Sequence, residues 1–242
     1  MEDISNAYTP EEFMIVAMSR EIQDGHTIGV GNLSPIPAAA AILAENTHAP
    51  NVDIIILGSE EYYPFDSGTS QFHFLAQRGE LDLFFMSGIQ IDKNGKVNLN
   101  LIGSHQSPKV RMPGAFGTAM LYFMAKKVIL FRSEHTKRTL VNKVDFITSG
   151  GFLETKNRAP TELFTPKGIF TLTKNTPKWK IKSINSGYFL NDLLDNMEFL
   201  PSWEEKIPTT SEPSNEYLNV LRTVVKEKLF TIYPVFTKSK IY

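Results

Sequence analysis

Short, unbroken apolar runs bounded by turn residues alternate along this chain with stretches of helical period. The clearest run is Ile54-Ile55-Ile56-Leu57, entered from Asn51-Val52-Asp53 and stopped by Gly58. A β-branched run of this kind, without polar alternation, predicts a strand covered on both faces. Residues 81–86 and 128–131 predict two more, and Thr27-Ile28-Gly29-Val30 a shorter one running into a glycine loop. Thr9-Pro10-Glu11-Glu12 predicts a helix start, with Thr9 as cap, Pro10 in the first turn and Glu12 closing a capping box. Met14, Ala17, Met18 and Ile22 then recur at helical spacing, and Gly25 follows the end. Further helices are expected over 37–45, 71–78 and 118–125. In open α/β sheets ligands collect beyond the carboxyl ends of the strands. Chemistry is therefore expected at the turn Leu57-Gly58-Ser59-Glu60.

The second half reads differently. Asn94-Gly95 between alternating apolar residues predicts a hairpin within 89–100. Residues 168–172 predict a strand paired with one carrying Trp179, Ile181 and Ile184, after a turn at Asn175 to Pro177. A helix is expected over 190–196. Residues 204–215 are rich in Pro, Ser and Thr and read as an extended linker. Tyr217, Leu218, Leu221, Val224, Val225 and Leu229 predict one amphipathic helix after it. There is no internal repeat and no low-complexity tract.

Two glycine loops stand out. Gly29-Val30-Gly31-Asn32 lacks the third glycine of a dinucleotide fingerprint, because Ser34 stands there, and no acidic residue ends a second strand at ribose distance. A nicotinamide cofactor is therefore not expected, and the loop reads either as a tight strand–helix turn or as a ligand loop. The second loop is Pro113-Gly114-Ala115-Phe116-Gly117, ahead of a helix whose first N–H groups are oriented to receive an anion or a developing oxyanion. Tyr62 and Tyr63 beside Pro64 read either as aromatics over a pocket or as packing against a partner subunit. Glu60 and Glu61 are the carboxylates just past the central strand, readable as acid and base or as a solvated pair.

Composition narrows the field. The chain has 242 residues, a formal charge of −1 and 21% charged side chains, without the basic excess that phosphate binding needs, so no nucleic-acid partner is expected. It has no cysteine, which removes disulfides, cysteine-held metals and a thiol nucleophile. The five histidines show no metal-binding spacing, so no metal site is expected. No Gly-x-Ser-x-Gly elbow is present. No apolar run reaches the ~20 residues of a membrane span, and Met1-Glu2-Asp3 has no signal-peptide pattern. A cytoplasmic protein without membrane association is the expectation. Lys126, Lys127, Arg132, Lys137 and Arg138 cluster around 128–131 and read as a solvated cationic surface rather than a phosphate-binding rim.

Several segments, in order, resemble the β-type subunit of family I CoA-transferases, the glutaconate CoA-transferase group in particular. Ala49-Pro50-Asn51 leads into the apolar strand as in that family. Gln90, Asp92, Gly95 and Asn98 match a segment after the third strand. Pro113 to Gly117 matches a Pro-Gly-x-Gly-Gly loop, with Phe116 in place of a small residue. Val144-Asp145-Phe146-Ile147-Thr148 matches the close of the first half, Arg158-Ala159-Pro160 opens the next unit, and Gly168-Ile169-Phe170 follows. The likeness covers about residues 7–200. It implies an α/β fold of the CoA-transferase (NagB/RpiA) type, with a mostly parallel sheet, helices on both faces and a smaller mixed β part. Residues 1–203 would form the domain, with the linker, helix and tail of 204–242 packed on it. It also implies a cleft for acyl-CoA, with coenzyme A as part of the substrate and no permanently bound cofactor, and an α-type partner subunit. Gly29, Gly31, Asn32, Leu57, Gly58, Ser59, Gly114, Ala115, Phe116 and Gly117 would line it, and Gln90 would face the acyl group.

One residue departs from the family at the decisive place. The glutamate nucleophile that ends the central strand in transferases is here Leu57. Deleting a nucleophile costs on the order of 10⁶ in rate, roughly 8 kcal/mol. Some superfamily members also lack that glutamate and catalyse decarboxylation or C–C cleavage. The expectation is therefore chemistry other than CoA transfer. The alternatives are a true transferase with Glu60 or a partner residue as nucleophile, and a non-catalytic scaffold subunit.

Overall fold

The apolar runs become neighbouring strands of one large sheet. The computed structural model describes residues 8–66, 68–151, 159–173 and 177–242. Strands β1 (Thr27–Val30), β2 (Asp53–Ile56) and β3 (Leu83–Met86) come first. A mixed section follows: β4 (Gln90–Asp92), β5 (Lys96–Asn98), β6 (Leu101–Gly103) and β7 (Pro108–Arg111). Then come β8 (Lys127–Phe131), β9 (Leu140–Val141), β10 (Ser149–Gly150), β11 (Glu162–Phe164), β12 (Gly168–Leu172), β13 (Trp179–Asn185) and β14 (Thr209–Thr210). The main sheet has the order β14-β13-β12-β11-β8-β3-β1-β2. Its β2-β1-β3-β8-β11 portion is parallel, and β12 is antiparallel to both its neighbours. A four-stranded sheet, β10-β5-β4-β9, and the β6–β7 ribbon form the smaller mixed part.

The parallel strands are covered on both sides, as their unbroken apolar character demands. Helices α1 (Pro10–Ser19) and α2 (Pro35–Glu45) cover one face, and α3 (Thr69–Gln77) and α4 (Thr118–Met124) the other. Because successive strand residues point to opposite faces, Ile54 and Ile56, Leu83 and Phe85, and Ile129 and Phe131 pack with α1 and α2. Ile55, Phe84, Met86, Val128 and Leu130 pack on the α3–α4 side. In β1 only Ile28 and Val30 carry side chains into a core, and Gly29, with Gly31 just after the strand, leaves the opposite face bare.

The capping box at Thr9 and Glu12 forms as predicted. Glu12 does more than cap. It is fully buried and takes a forked pair of bonds from Arg222 Nε and Nη2, each 2.9 Å. The Tyr242 N–H also donates to it, at 3.2 Å. One carboxylate thus ties the first helix to the last segment of the chain.

The hairpin at Asn94-Gly95 is present, pairing Ile91 with Val97. Gly95 donates to the Asp92 carbonyl and has φ +76°, while Asn94 keeps a negative φ. The connection is therefore a three-residue loop held by the Asp92 carboxylate, which accepts from the Asn94 and Lys96 N–H groups. Asn175, Thr176 and Arg158, expected in a turn and at the opening of a unit, lie outside the described residues.

A short helix, α5 (Leu190–Leu194), follows β13 within the expected 190–196. Residues 204–215 are not wholly a linker, since Thr209 and Thr210 form β14 at the edge of the main sheet. The amphipathic helix beyond them is not regular. After α6 (Asn215–Val220), residues Leu221–Val225 form one π-type turn before α7 (Lys226–Ile232) and α8 (Pro234–Lys240). The wider turn keeps Leu221 and Val225 aligned on the core and rotates Val224 outward to 41% exposure, where the sequence pattern had it buried. Among the described residues no helix is long and apolar enough to cross a membrane.

Candidate active site at the strand carboxyl ends

A cleft of about 830 Å³ opens where β2, β1, β3 and β8 end. Strand alternation explains which side chains reach it. Gly31 continues the register of Leu57 and Met86, through the pairs Val30 with Ile56 and Val30 with Phe85. Leu130 pairs with Met86, so Arg132 projects from the same face one step further out. The floor therefore reads Leu57, bare Gly31, Met86 and Arg132 across four adjacent strands, and all four line the cleft.

The bare position is what gives the cleft depth. A Cβ on Gly31 would meet Ser34 Oγ at only 3.4 Å, ordinary contact, so the strand leaves usable space there. Gly29, two residues earlier on the same face, serves packing instead. A Cβ there would lie 2.6 Å from the Phe72 ring, and Gly29 does not line the cleft.

The turn after β2 curls back on itself. Ile56 N–H donates to the Tyr62 carbonyl and Ser59 N–H to the Ile56 carbonyl. Gly58 has φ +88°, and a Cβ would meet Asn32 Oδ1 at 2.9 Å, so glycine is required on two counts. Asn32 Oδ1 accepts from Leu33 N–H, which fixes the neighbouring loop. Ser59 is buried, and its hydroxyl accepts from Tyr62 N–H, so it is committed to holding the turn. Glu60 sits exposed at the apex and is the one carboxylate among the described lining residues. Glu61 and Tyr62 face a separate hollow beside Glu45 and Lys228. Only Tyr63 of the tyrosine pair reaches the cleft, with its hydroxyl donating to the Gly68 carbonyl.

The second glycine loop forms the facing wall through Pro113, Gly114, Ala115 and Phe116. Gly117, φ +75°, is the cap of α4; a Cβ there would strike the His73 ring, and the residue lies behind the lining. Phe116 holds φ +45° and Leu33 φ +54°, the two non-glycine residues in the left-handed region among those described. Such a conformation costs about 1 kcal/mol or more for an L residue. Both side chains are turned outward, Leu33 at 81% and Phe116 at 69% exposure, so the rim of the cleft is apolar. Phe116 thus does not fill the space that a small residue would leave.

Gln90 lies elsewhere. Its carbonyl oxygen accepts from Asn98 Nδ2 at 2.8 Å and from Asp145 N–H at 3.0 Å, and its amide donates to Asp145 Oδ2 at 3.2 Å. Asp145 Oδ2 also accepts from Gly103 N–H. This polar cluster, with Gln90 and Asn98 buried and Asp145 exposed, joins the hairpin to the segment before β10, and Gln90 is not among the lining residues.

Arg132 is the feature that sequence reading placed on the surface. Of the cluster around β8, Lys126 pairs with Asp82, Lys127 with Glu21 and Glu162, and Arg138 with Glu134. Arg132 turns into the cleft. Its Nε is fully buried without a hydrogen-bond acceptor among the described residues. Burial pulls its pKa below the usual arginine value, with Glu134 opposing. The signal was available in the alternation Val128, Leu130, Arg132. His135, three residues on, is structural: it is held between Thr165 Oγ1 and the Leu193 carbonyl. Burial pushes its pKa down to about 4.

A parallel sheet with a bare strand end, an apolar floor and a glycine-loop wall is the arrangement of an α/β protein that takes its ligand at the strand carboxyl ends. The Coenzyme A transferase family model matches residues 59–196, more than half of the chain. This chain belongs to that family of enzymes. It is 26% identical to the B subunit of 3-oxoadipate CoA-transferase from Pseudomonas knackmussii, over 90% of this chain and 94% of the relative. It is 26% identical to the B subunit of glutaconate CoA-transferase from Acidaminococcus fermentans, over 82% and 85%. In fold it resembles the decarboxylase AibA/AibB with a TM-score of 0.80 and 22% identity, covering 96% of this chain and 98% of that one.

Proposed function

We propose that this chain is the β-type subunit of a heteromeric enzyme acting on acyl-CoA thioesters, by decarboxylation or C–C cleavage rather than CoA transfer. The observation that carries this reading is Leu57, an apolar side chain on the cleft floor where the resemblance to transferases calls for a glutamate. Transfer through an acyl anhydride needs a carboxylate nucleophile there. An apolar surface instead desolvates a charged group lying beside it, which favours loss of a carboxylate as carbon dioxide. Two relatives are named as B subunits, and the apolar rim of Leu33 and Phe116 supports an α-type partner seated over the cleft. Residues 204–242 belong to the same working unit, since Leu221, Val225, Leu229 and Ile241 share a core with α1 and α2.

The test uses the complex co-purified with its α-type partner. It is incubated with a panel of acyl-CoAs, with and without a free carboxylic acid, and thioesters are followed by mass spectrometry. Acid-independent release of carbon dioxide or uptake of water is the expected outcome. Exchange of CoA onto the added acid overturns it.

A second reading has its own observation. Glu60 is the carboxylate in the cleft, on a turn that folds back toward β2. If Glu60 is a nucleophile, Glu60→Gln abolishes CoA exchange while substrate binding persists; unchanged exchange rejects that role.

A further inference from the structure

We infer that Arg132 is a catalytic residue, whose guanidinium receives the negative charge that gathers on the thioester oxygen as the bond at the Leu57 end breaks. The inference rests on the acyl-CoA reading above and adds where the electrons of that reaction go. Loss of carbon dioxide breaks the bond between a carboxylate and the acyl chain, and the carbon dioxide leaves without the bonding pair. The pair moves along the chain into the thioester carbonyl, which becomes an enolate. A proton from water then returns to carbon and restores the thioester, and no outside oxidant or reductant takes part. Cleavage of a C–C bond β to the thioester carbonyl sends its pair to the same oxygen. The relay needs the breaking bond to be β to that carbonyl or joined to it through a double bond.

The donors of the cleft point to Arg132. The hydroxyls of Ser34, Ser87, Tyr63 and Thr118 line the cleft, but each donates to a backbone carbonyl and is spent. The Thr118 N–H, at the start of α4, turns back on the Ala115 carbonyl at 2.7 Å. Arg132 is the one cation among the described lining residues. It has no carboxylate within ion-pair distance among the described residues, and its Nε is buried with no acceptor. Glu134, two positions on, is held by Arg138 at 2.7 Å. A buried donor left unmade is costly unless a ligand completes it. A positive charge already fixed in a cleft acts strongly on charge that develops in the transition state.

The span fits the chemistry. Leu57 follows β2 and Arg132 follows β8, with β1 and β3 between them. At ~4.8 Å per strand their backbones are roughly 14 Å apart. Both side chains project from the same face of the sheet, and the long stem of arginine takes up much of that distance. The remainder, over bare Gly31 and apolar Met86, is a few bonds long. The departing group thus lies on the apolar Leu57 end, and the oxygen that gains its charge lies at Arg132. The field along the floor draws electrons in the direction the reaction moves them.

The experiment uses the complex with its α-type partner and carbonyl-labelled crotonyl-CoA, an enoyl ester that carries no acid. Isotope-edited infrared difference spectra read its carbonyl stretch, and calorimetry reads its affinity beside that of free CoA. Bound to the wild type, the stretch is expected at lower frequency than in water, because a cation at the oxygen weakens the double bond. Arg132→Met should remove that shift and Arg132→Lys should keep part of it, with free CoA affinity unchanged in both. On the ester that the complex decarboxylates or cleaves, Arg132→Met should lower kcat by about 10²- to 10³-fold and leave KM nearly unchanged. Thermal melting of each variant complex guards against misfolding, and if Arg132→Met fails to assemble, Arg132→Lys alone decides through its reduced shift. An equal stretch in the wild type and Arg132→Met overturns the inference. So does a raised KM at unchanged kcat, which would make Arg132 a group for ground-state binding. Binding of free CoA without crotonyl-CoA overturns it too, since the acyl chain then has no seat on the floor. Failure of both to bind defeats the acyl-CoA reading itself.

Discussion

Arg222 and Arg132 are both guanidiniums drawn partly out of water, and the protein treats them in opposite ways. Arg222 is set on Glu12 by two bonds of 2.9 Å, and that hydrogen bonding raises its pKa above the usual value. Arg132 has no carboxylate within ion-pair distance among the described residues, and burial lowers its pKa against the more distant Glu134. The first lies on the α1–α2 side, where the chain is tied shut. The second lies at the strand carboxyl ends, where the chain is open. A matched buried charge is architecture, and one without an ion-pair partner in a cleft marks a candidate functional position.

The two arginines should part most visibly in stability. Arg222→Met should destabilise by about 4 kcal/mol in urea denaturation, because it leaves the fully buried Glu12 carboxylate without its partner. Arg132→Met should leave stability unchanged or raise it by about 1 kcal/mol, since it removes an unsatisfied donor and keeps the apolar stem volume. Equal losses for the two variants would erase the distinction.

His135 shows a third treatment, burial in the neutral form. Its pKa is about 4 in the folded chain against an ordinary 6.5. Between these values the unfolded chain binds the proton that the folded chain refuses. Its contribution is therefore complete above about pH 6.5 and is lost as pH falls toward about 4, on the order of 3 kcal/mol over the window. Unfolding free energies of the wild type and His135→Gln, measured across that range, should show a shallower acid slope in the variant.

The paired glycines of β1 give a smaller contrast. Gly29→Ala forces a methyl against Phe72 and should cost about 2 kcal/mol. Gly31→Ala meets only ordinary contact and should change stability by less than about 0.5 kcal/mol. It narrows the cleft instead, so acyl-CoA affinity should fall while the melting temperature holds. A melting temperature that falls equally in both variants would show that Gly31 is packing as well.

The linear sequence determined a good deal of this. The apolar runs became the parallel strands, the capping box formed at Thr9, the hairpin formed around Asn94-Gly95, and the turn at Leu57 to Glu60 lies on the cleft. These are local properties: strand burial, cap chemistry and turn preference are written in a few adjacent residues. The π-type turn at Leu221–Val225 was not legible, because Leu221, Val224 and Val225 fit a regular helix equally well until Arg222 must meet Glu12 more than two hundred positions earlier. Gln90 carried a family motif, yet only the fold shows its amide fully engaged with Asn98 and Asp145. Arg132 looked like one of five surface cations, since charge clustering along the chain says nothing of which neighbours already have acids. Pairing of that kind depends on contacts between distant segments. So does the alignment of four strand ends, which sets Leu57, Gly31, Met86 and Arg132 in a row and makes a site of residues that the sequence keeps apart.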